Sequence, residues 1–355
     1  MDFLGLIGSY SKQRPLTDLE RNQRLDQKRR LDVQPHYQLS VIRMSSAYFE
    51  SVDKWYAWKG VLTAVGSAII CIFIYGIFRV GFGTDGAVWS MMSPDDKIEQ
   101  LVFTLAIALI STPLIWLGAW LIKKESFAYT HYPIRFDRNG RAVHVFRTNG
   151  TMLSIPWDQI FFTLGHLQQW NEWEVRGHIL EPDGVTVNDT FALSYTGSIN
   201  AVDIVSQGAQ SSSEDFVRAH WEFVRRYMEE GPQAVSSQVQ FCMPVDECRE
   251  SFRVGMERIF ANFAGAPFPI YWMMFPFCLT VSLFRWFAMR TSKIPTWSAD
   301  IEASCRIEVD DPYAIKGAPT GDRLAVFPEA AGAAGICFCA PPITPKTAGR
   351  AARRT

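Results

Sequence analysis

The stretch GVLTAVGSAIICIFIYGIF (Gly60–Phe78) carries no charge and stands between Lys59 and Arg79. A second such stretch, QLVFTLAIALISTPLIWLGAWLI (Gln100–Ile122), stands between Glu99 and Lys123. A helix of roughly 20 apolar residues crosses the hydrocarbon core of a bilayer. Both runs are close to that length. The sequence therefore predicts a two-helix transmembrane hairpin, with helix one over 58–80, a turn over 81–98 and helix two over 99–122. Small residues (Gly60, Ala64, Gly66, Ser67, Ala68 and Gly76; Ala106, Ala108, Ser111 and Gly118) should let the two helices pack closely. Pro113 is tolerable inside a membrane helix when neighbours satisfy the freed carbonyl. Neither run contains an internal Asp, Glu, Lys, Arg or His. Ion pathways and proton relays need such groups, which argues against a transporter or channel.

Outward from the hairpin, basic residues are distributed unevenly. Lys12, Arg14, Arg21, Arg24, Lys28, Arg29, Arg30, Arg43, Lys54 and Lys59 precede it, and Lys123 and Lys124 follow it directly. The connection between the runs holds Arg79 and Lys97 together with Asp85, Asp95, Asp96 and Glu99. Lys and Arg stay on the cytoplasmic side. The expectation is a multi-pass protein of the bacterial inner membrane with a cytoplasmic N-terminus and a periplasmic turn. Residues 1–57 then read as a basic cytoplasmic arm that is either a topology signal and nothing more or a segment attracted to anionic lipid, by about 1 kcal/mol per basic residue near the surface. Met1–Tyr10 has an apolar patch without the basic run and cleavage pattern of a secretory signal. The net charge of the 355-residue chain is −1, so nothing global points to nucleic acid.

Beyond Lys124 the pattern turns to short β runs. Phe127–Asp137 leads into Asn139-Gly140, and Ala142–Arg147 into Asn149-Gly150; Asn-Gly is a strong tight-turn signal. Thr151–Asp158, Ile160–Gly165, Glu172–Leu180 and Val185–Tyr195 complete an antiparallel meander. A Gly/Ser/Gln-rich loop, 197–212, precedes a helix that Ser213 can cap, with Phe216, Ala219, Phe223, Val224, Tyr227 and Met228 on one stripe. Residues 123–232 are thus expected to form a cytoplasmic domain of strands followed by one helix. That order suits a pleckstrin-homology-like barrel and suits other α+β arrangements as well. Residues 233–290 should hold an amphipathic helix (246–262) and an apolar, aromatic-rich segment interrupted by Pro269 and Pro276. Basic residues flank that segment on both sides, which favours a re-entrant or surface-lying path; a third span and a buried core element are the alternatives. Residues 291–330 read as a C-terminal folded extension. Residues 331–355, mostly Ala, Gly, Pro and Arg near the end, read as a disordered tail. The fold class is an α+β membrane protein.

No phosphate-cradling loop, nucleophile elbow or His-Glu-x-x-His motif occurs. The best imaginable polar cluster is His144 and His178 with Glu174 and Asp158; the plain reading makes them solvent-facing strand residues. Among seven cysteines no pair of Cys-x-x-Cys units occurs, which leaves zinc without support. Cys71 and Cys278 read as small core residues. Arg225-Arg226 with Lys123-Lys124 could face lipid headgroups or plain solvent. No catalytic, cofactor-binding or metal residue is expected, and the protein is not expected to be an enzyme. A membrane-bound hydrolase would need the scattered histidines to converge.

Several strings occur together: YPIRFDR (Tyr132–Arg138), VHVFR (Val143–Arg147), IPWD (Ile155–Asp158), VRGHIL (Val175–Leu180), DTFAL (Asp189–Leu193), WEFVRRYMEEGP (Trp221–Pro232) and DDPYAIKG (Asp310–Gly317). Over about residues 120–330 the chain resembles an uncharacterised family of proteobacterial membrane proteins, domain of unknown function 6708. That family has no assigned catalytic or binding residues to carry over. Its members tend to be encoded near type VI secretion genes. The resemblance implies an immunity or accessory protein with a toxin or secretion component as partner; the apolar spans add membrane lipid as a partner, and the charge balance gives no case for nucleic acid. The alternative function is a membrane-anchored lipid-binding or signalling module.

Overall fold

The computed structural model describes residues 10–37, 40–82, 92–167, 172–193, 210–239, 242–263 and 268–316. The expected tail (331–355), most of the 197–212 loop and part of the 81–98 turn lie outside them. Among the described residues two antiparallel sheets form. The first has the order β1 (Arg14–Pro15), β10 (Thr186–Ala192), β9 (Glu172–Leu180), β8 (Ile160–Leu167), β2 (Arg24–Leu25). The second has the order β11 (Ile315–Lys316), β3 (Val41–Met44), β4 (Tyr48–Ser51), β5 (Ile134–Asp137), β6 (Ala142–Phe146), β7 (Met152–Pro156). The expected meander is split into two three-stranded pieces, β5-β6-β7 in the second sheet, where β7 is an edge, and β8-β9-β10 in the first. Its first strand is shorter than the Phe127–Asp137 run. Both Asn-Gly turns are in place. Asp137 Oδ1 accepts from Gly140 N at 2.9 Å, and Gly150 adopts φ +83° while donating to Arg147 O.

The core lies between the sheets and the helix Gln210–Glu230. Trp157 stacks on Trp221 at 5.8 Å, Phe162 meets Trp221 at 4.6 Å, and Phe49 stacks on Phe136 at 4.6 Å. Phe223, Val224, Tyr227 and Met228 of the predicted stripe are buried in it. The helix begins before Ser213, so that residue is not its cap.

Two helices leave this body. Val61–Phe82 and Pro94–Glu125 pack against each other, and most of their surface is exposed and apolar, including Ile72, Tyr75, Leu109, Ile110 and Trp116. They approach closely at two of the expected small residues, Gly66 and Gly118. A Cβ on Gly66 would lie 2.5 Å from Gly118 O, and one on Gly118 would lie 2.7 Å from Gly66 O. Cys71 is exposed on this surface rather than packed in a core, because the helix meets its neighbour on one side only. The second helix starts earlier than the predicted residue 99. Ser93 caps it, accepting from Asp96 N, and Pro94 occupies its first turn.

Residues 10–58 do not form a free basic arm. They supply β1 to β4 and a short helix, Asp18–Asn22, whose capping box joins Thr17 to Glu20. Strand β4 pairs with β5 in the register Ser51↔Ile134 to Tyr48↔Asp137. The apolar hairpin is therefore an insertion in the connection between two neighbouring strands of one sheet.

The predicted helix at 246–262 starts later, at Phe252, and ends at Ala261, with Ser251 as its cap. The aromatic-rich segment is one unbroken helix, Phe268–Thr291, running through Pro276. A path that turns back inside residues 268–291 is excluded. One side of this helix (Tyr271, Cys278, Val281, Arg285, Met289) packs on the foot of Val61–Phe82 and on Phe252–Ala261, and the other exposes Met273, Leu283 and Trp286. Among the described residues it is a third helix long and apolar enough to cross a membrane. The C-terminal extension contributes the helix Ala299–Ser304 and strand β11.

Candidate functional site

Where the hairpin meets the sheets, charged residues that the sequence shows only as flanking charges turn inward. Glu125 ends the second hairpin helix. Its carboxylate accepts from Gly60 N (2.8 Å), Thr63 N (2.7 Å) and Thr63 Oγ1 (2.6 Å). These backbone N–H groups open the first hairpin helix and have no intrahelical acceptor. The carboxylate therefore caps the neighbouring helix and complements its dipole. Lys59 makes the converse contact. Its ammonium donates to Glu125 O (3.2 Å) and Tyr129 O (2.7 Å), the first of which is an orphan carbonyl at the end of the second helix. Burial pulls the Lys59 pKa down to about 8, against the opposing pull of Glu125 and Asp53.

Asp53 and His131 sit beside this pair. Asp53 accepts from Trp55 N (3.0 Å) and Tyr132 N (2.7 Å); burial raises its pKa despite both bonds. His131 contacts Thr130 Oγ1 at 3.1 Å, and burial together with the Lys59 charge lowers its pKa to about 3. The imidazole is therefore neutral at physiological pH. A cavity of about 300 Å³ opens here, lined by Asp53, Lys59, Lys123, Lys124, Glu125 and His131 among others.

A second buried ion pair ties the third long helix to the same foot. Arg285 donates to both Glu250 oxygens (2.5 and 2.9 Å) and to the carbonyls of Tyr56 and Lys59, while Tyr56 donates to Glu250 at 2.5 Å. The guanidinium also lies over the Tyr56 ring at 4.6 Å. Gly60, at φ +105°, is required twice: its backbone is left-handed, and a Cβ there would lie 2.7 Å from Arg285 Cα. From sequence, Arg285 reads only as the end of an apolar run. Nothing local marks it as buried, because its three partners, Glu250, Tyr56 and Lys59, are all distant in the chain.

The four residues of the predicted polar cluster do not meet. His178 is fully buried, with Nδ1 on Thr190 Oγ1 (2.8 Å) and Nε2 at 3.2 Å from Glu20. Glu174 is also buried and pairs with Lys54 (2.8 Å) and Arg176 (2.7 Å), with Tyr10 donating to it. Asp158 stays on the surface with Arg141 and Lys28. His144 is in the other sheet, beside Asp137 and Cys305. The solvent-facing reading is thus corrected for His144, His178 and Glu174. The face of β9 that carries Glu174 and His178 is covered by the segment 10–54, whose place in the fold is not visible locally. Arg225 and Arg226 are both held by Glu222, and Arg225 is buried, so Arg225 faces neither headgroups nor solvent. Trp157 and Trp221 are core residues.

Chemically, the foot of the hairpin can bind and hold. Its carboxylates and cations are hydrogen-bonded to backbone groups at helix ends, and among the described residues none forms a nucleophile–base pair there. No curated protein and no solved structure shows a significant match to the chain. The profile of a family of unknown function, DUF6708, matches residues 111–309, which run from inside the second hairpin helix to just past Ala299–Ser304. That stretch is more than half of the chain, and the chain belongs to DUF6708, a family of unknown function.

Proposed function

We propose that this is a non-enzymatic integral membrane protein that holds a folded domain, and through it a protein partner, at the cytoplasmic face of a bacterial inner membrane. The observation that carries the proposal is the inserted hairpin. Two helices with apolar outer surfaces rise from between β4 and β5, and both of their domain-side ends are locked by Glu125 and Lys59. Water is a poor solvent for an apolar patch of that extent, whereas lipid is a good one. Both feet lie on the domain side and carry Lys59, Lys123 and Lys124, which supports a cytoplasmic domain and an outward turn. The two sheets closed by a following helix support a pleckstrin-homology-like reading of the domain.

The partner is proposed from the resemblance: a toxin or component of type VI secretion, with this protein as immunity or accessory factor. Gene deletion tests it. A deletion strain should become sensitive to attack by sister cells or to the neighbouring toxin, and full resistance would refute the immunity role. Alkaline carbonate washing tests the membrane part separately: the protein should stay in the pellet. A second reading, a lipid-binding module, is favoured by the cavity that Lys123 and Lys124 help to line. It predicts that the purified full chain retains anionic lipid through detergent exchange, and that Lys123→Ala with Lys124→Ala lowers the retained amount.

A further inference from the structure

Asp137 closes β5, His144 lies in β6, and Cys305 follows the helix Ala299–Ser304. All three are buried, at 2, 6 and 2 % exposure, and one donor atom from each lies within 4.8 Å of the others. The arrangement includes a polar atom without a hydrogen bond. His144 Nδ1 contacts Ser154 Oγ at 2.8 Å, but Nε2 has no hydrogen-bond partner and sits 4.0 Å from Asp137 Oδ2. A buried imidazole nitrogen left unbonded is unfavourable unless something else fills the role.

We propose that Asp137, His144 and Cys305 form a divalent transition-metal site, with zinc the fitting ion. The donor set is one carboxylate oxygen, one imidazole nitrogen and one thiolate, a combination that suits Zn²⁺ better than Mg²⁺ or Ca²⁺. With Ser154 Oγ accepting from Nδ1–H, the lone pair on Nε2 points into the cluster, which is how an outer partner fixes the tautomer of a metal-bound histidine. Gly140 N donates to Asp137 Oδ1 and leaves Oδ2 for the ion. Carboxylate and thiolate together balance the two charges of the ion, so burial leaves no net charge. On binding, the Cys305 thiol proton leaves to solvent and the sulfur becomes the ligand. Arg135 also reaches Cys305, but its guanidinium pairs with Glu50 and Glu302, both at 2.9 Å. Tetrahedral ligands at zinc bond lengths sit about 3.3–3.7 Å apart, so closing the site needs side-chain shifts of about 1 Å. Three protein ligands leave a fourth position for water.

Such a site would fasten the C-terminal extension to the β5–β6 hairpin, making the docking of Ala299–Ser304 depend on the ion. Sequence rules built on close Cys and His spacing do not detect ligands at 137, 144 and 305.

The test uses the full chain in detergent, stripped with chelator and kept reduced, with Co²⁺ as the probe. One equivalent of Co²⁺ should give tetrahedral visible bands and a near-ultraviolet sulfur-to-cobalt charge-transfer band. Cys305→Ser should abolish the charge-transfer band, and His144→Gln should weaken Zn²⁺ binding at least ten-fold. A charge-transfer band that is absent from the wild type, or that survives in Cys305→Ser, overturns the assignment. X-ray absorption on the zinc-loaded wild type decides the matter should the variants fail to fold. One sulfur ligand at about 2.3 Å, with the rest nitrogen or oxygen, upholds it, and any other sulfur count refutes it.

Discussion

Replacing Glu125 by Gln keeps the shape of the side chain and removes its charge. The carboxylate accepts three hydrogen bonds at the mouth of the first hairpin helix, two of them from backbone N–H groups. An amide can point its oxygen at one of those donors, but its NH₂ then faces the other. Leaving one buried N–H unpaired costs about 1–3 kcal/mol, and exchanging an ionised acceptor for a neutral one costs about 1 kcal/mol more. Losing the charge at the helix N-terminus adds about 0.3–1 kcal/mol. The sum is about 2–5 kcal/mol, which for a chain of this size lowers Tm by about 3–7 °C. Thermal unfolding followed by tryptophan emission in detergent measures it. Thr63→Val removes one of the three donors, so the double variant should lose less than the sum of the single losses, by at least about 0.5 kcal/mol. A Tm for Glu125→Gln within about 2 °C of wild type, or strict additivity with Thr63→Val, would show that Glu125 does not cap the neighbouring helix.

Gly66→Leu should separate the hairpin helices, since even a Cβ there meets Gly118 O at 2.5 Å; a loss of about 1–3 kcal/mol is expected in the same melt, and Gly76→Leu, with open space around it, should change little. The neutral, buried His131 gives the acid side of stability a definite sign. Its folded pKa of about 3 lies below the unfolded value of about 6.5, so the unfolded chain binds the extra proton between those values and stability falls as pH drops. At pH 5 the loss from this group is about 2 kcal/mol relative to neutral pH. His131→Asn should therefore show a shallower decline between pH 7 and pH 5 than wild type, and parallel declines would disprove the assignment.

The sequence shows clearly what depends on local pattern. The Asn-Gly turns place β5, β6 and β7, alternation places β9 over Glu172–Leu180 to the residue, and uncharged length places the hairpin. What it hides depends on partners far along the chain. Strands β1 and β2 are two residues each and have no period to detect. Glu174 and His178 look solvent-facing until Lys54, Tyr10 and Glu20 are brought over them. Arg285 looks like the polar end of an apolar run until Glu250 and the carbonyls of Tyr56 and Lys59 surround it. In each case the missing information includes the position of residues 10–59, to which Glu250 is added for Arg285, because local reading assumes that a long apolar insertion divides one domain from the next.

That assumption can be tested directly. The structure makes β4 the neighbour of β5, so a chain beginning at residue 123 would leave Ile134, Arg135, Phe136 and Asp137 with an unpaired edge and would expose Phe136 where Phe49 stacks. The ends of the hairpin, by contrast, are adjacent, with Gly60 N 2.8 Å from the Glu125 carboxylate. A short Gly/Ser linker in place of residues 61–124 could therefore close the gap, and closure entropy grows only slowly with loop length. The expected outcome in detergent is a cooperative melt with strand-rich circular dichroism for the hairpin-deleted chain, and none for the chain that starts at 123. The opposite ranking, with the 123-onward chain folding on its own and residues 10–59 adding nothing, would mean that β3 and β4 are not part of the sheet. The anchor would then be a separate module preceding the domain, and the coupling at Lys59 and Glu125 would lose its structural basis.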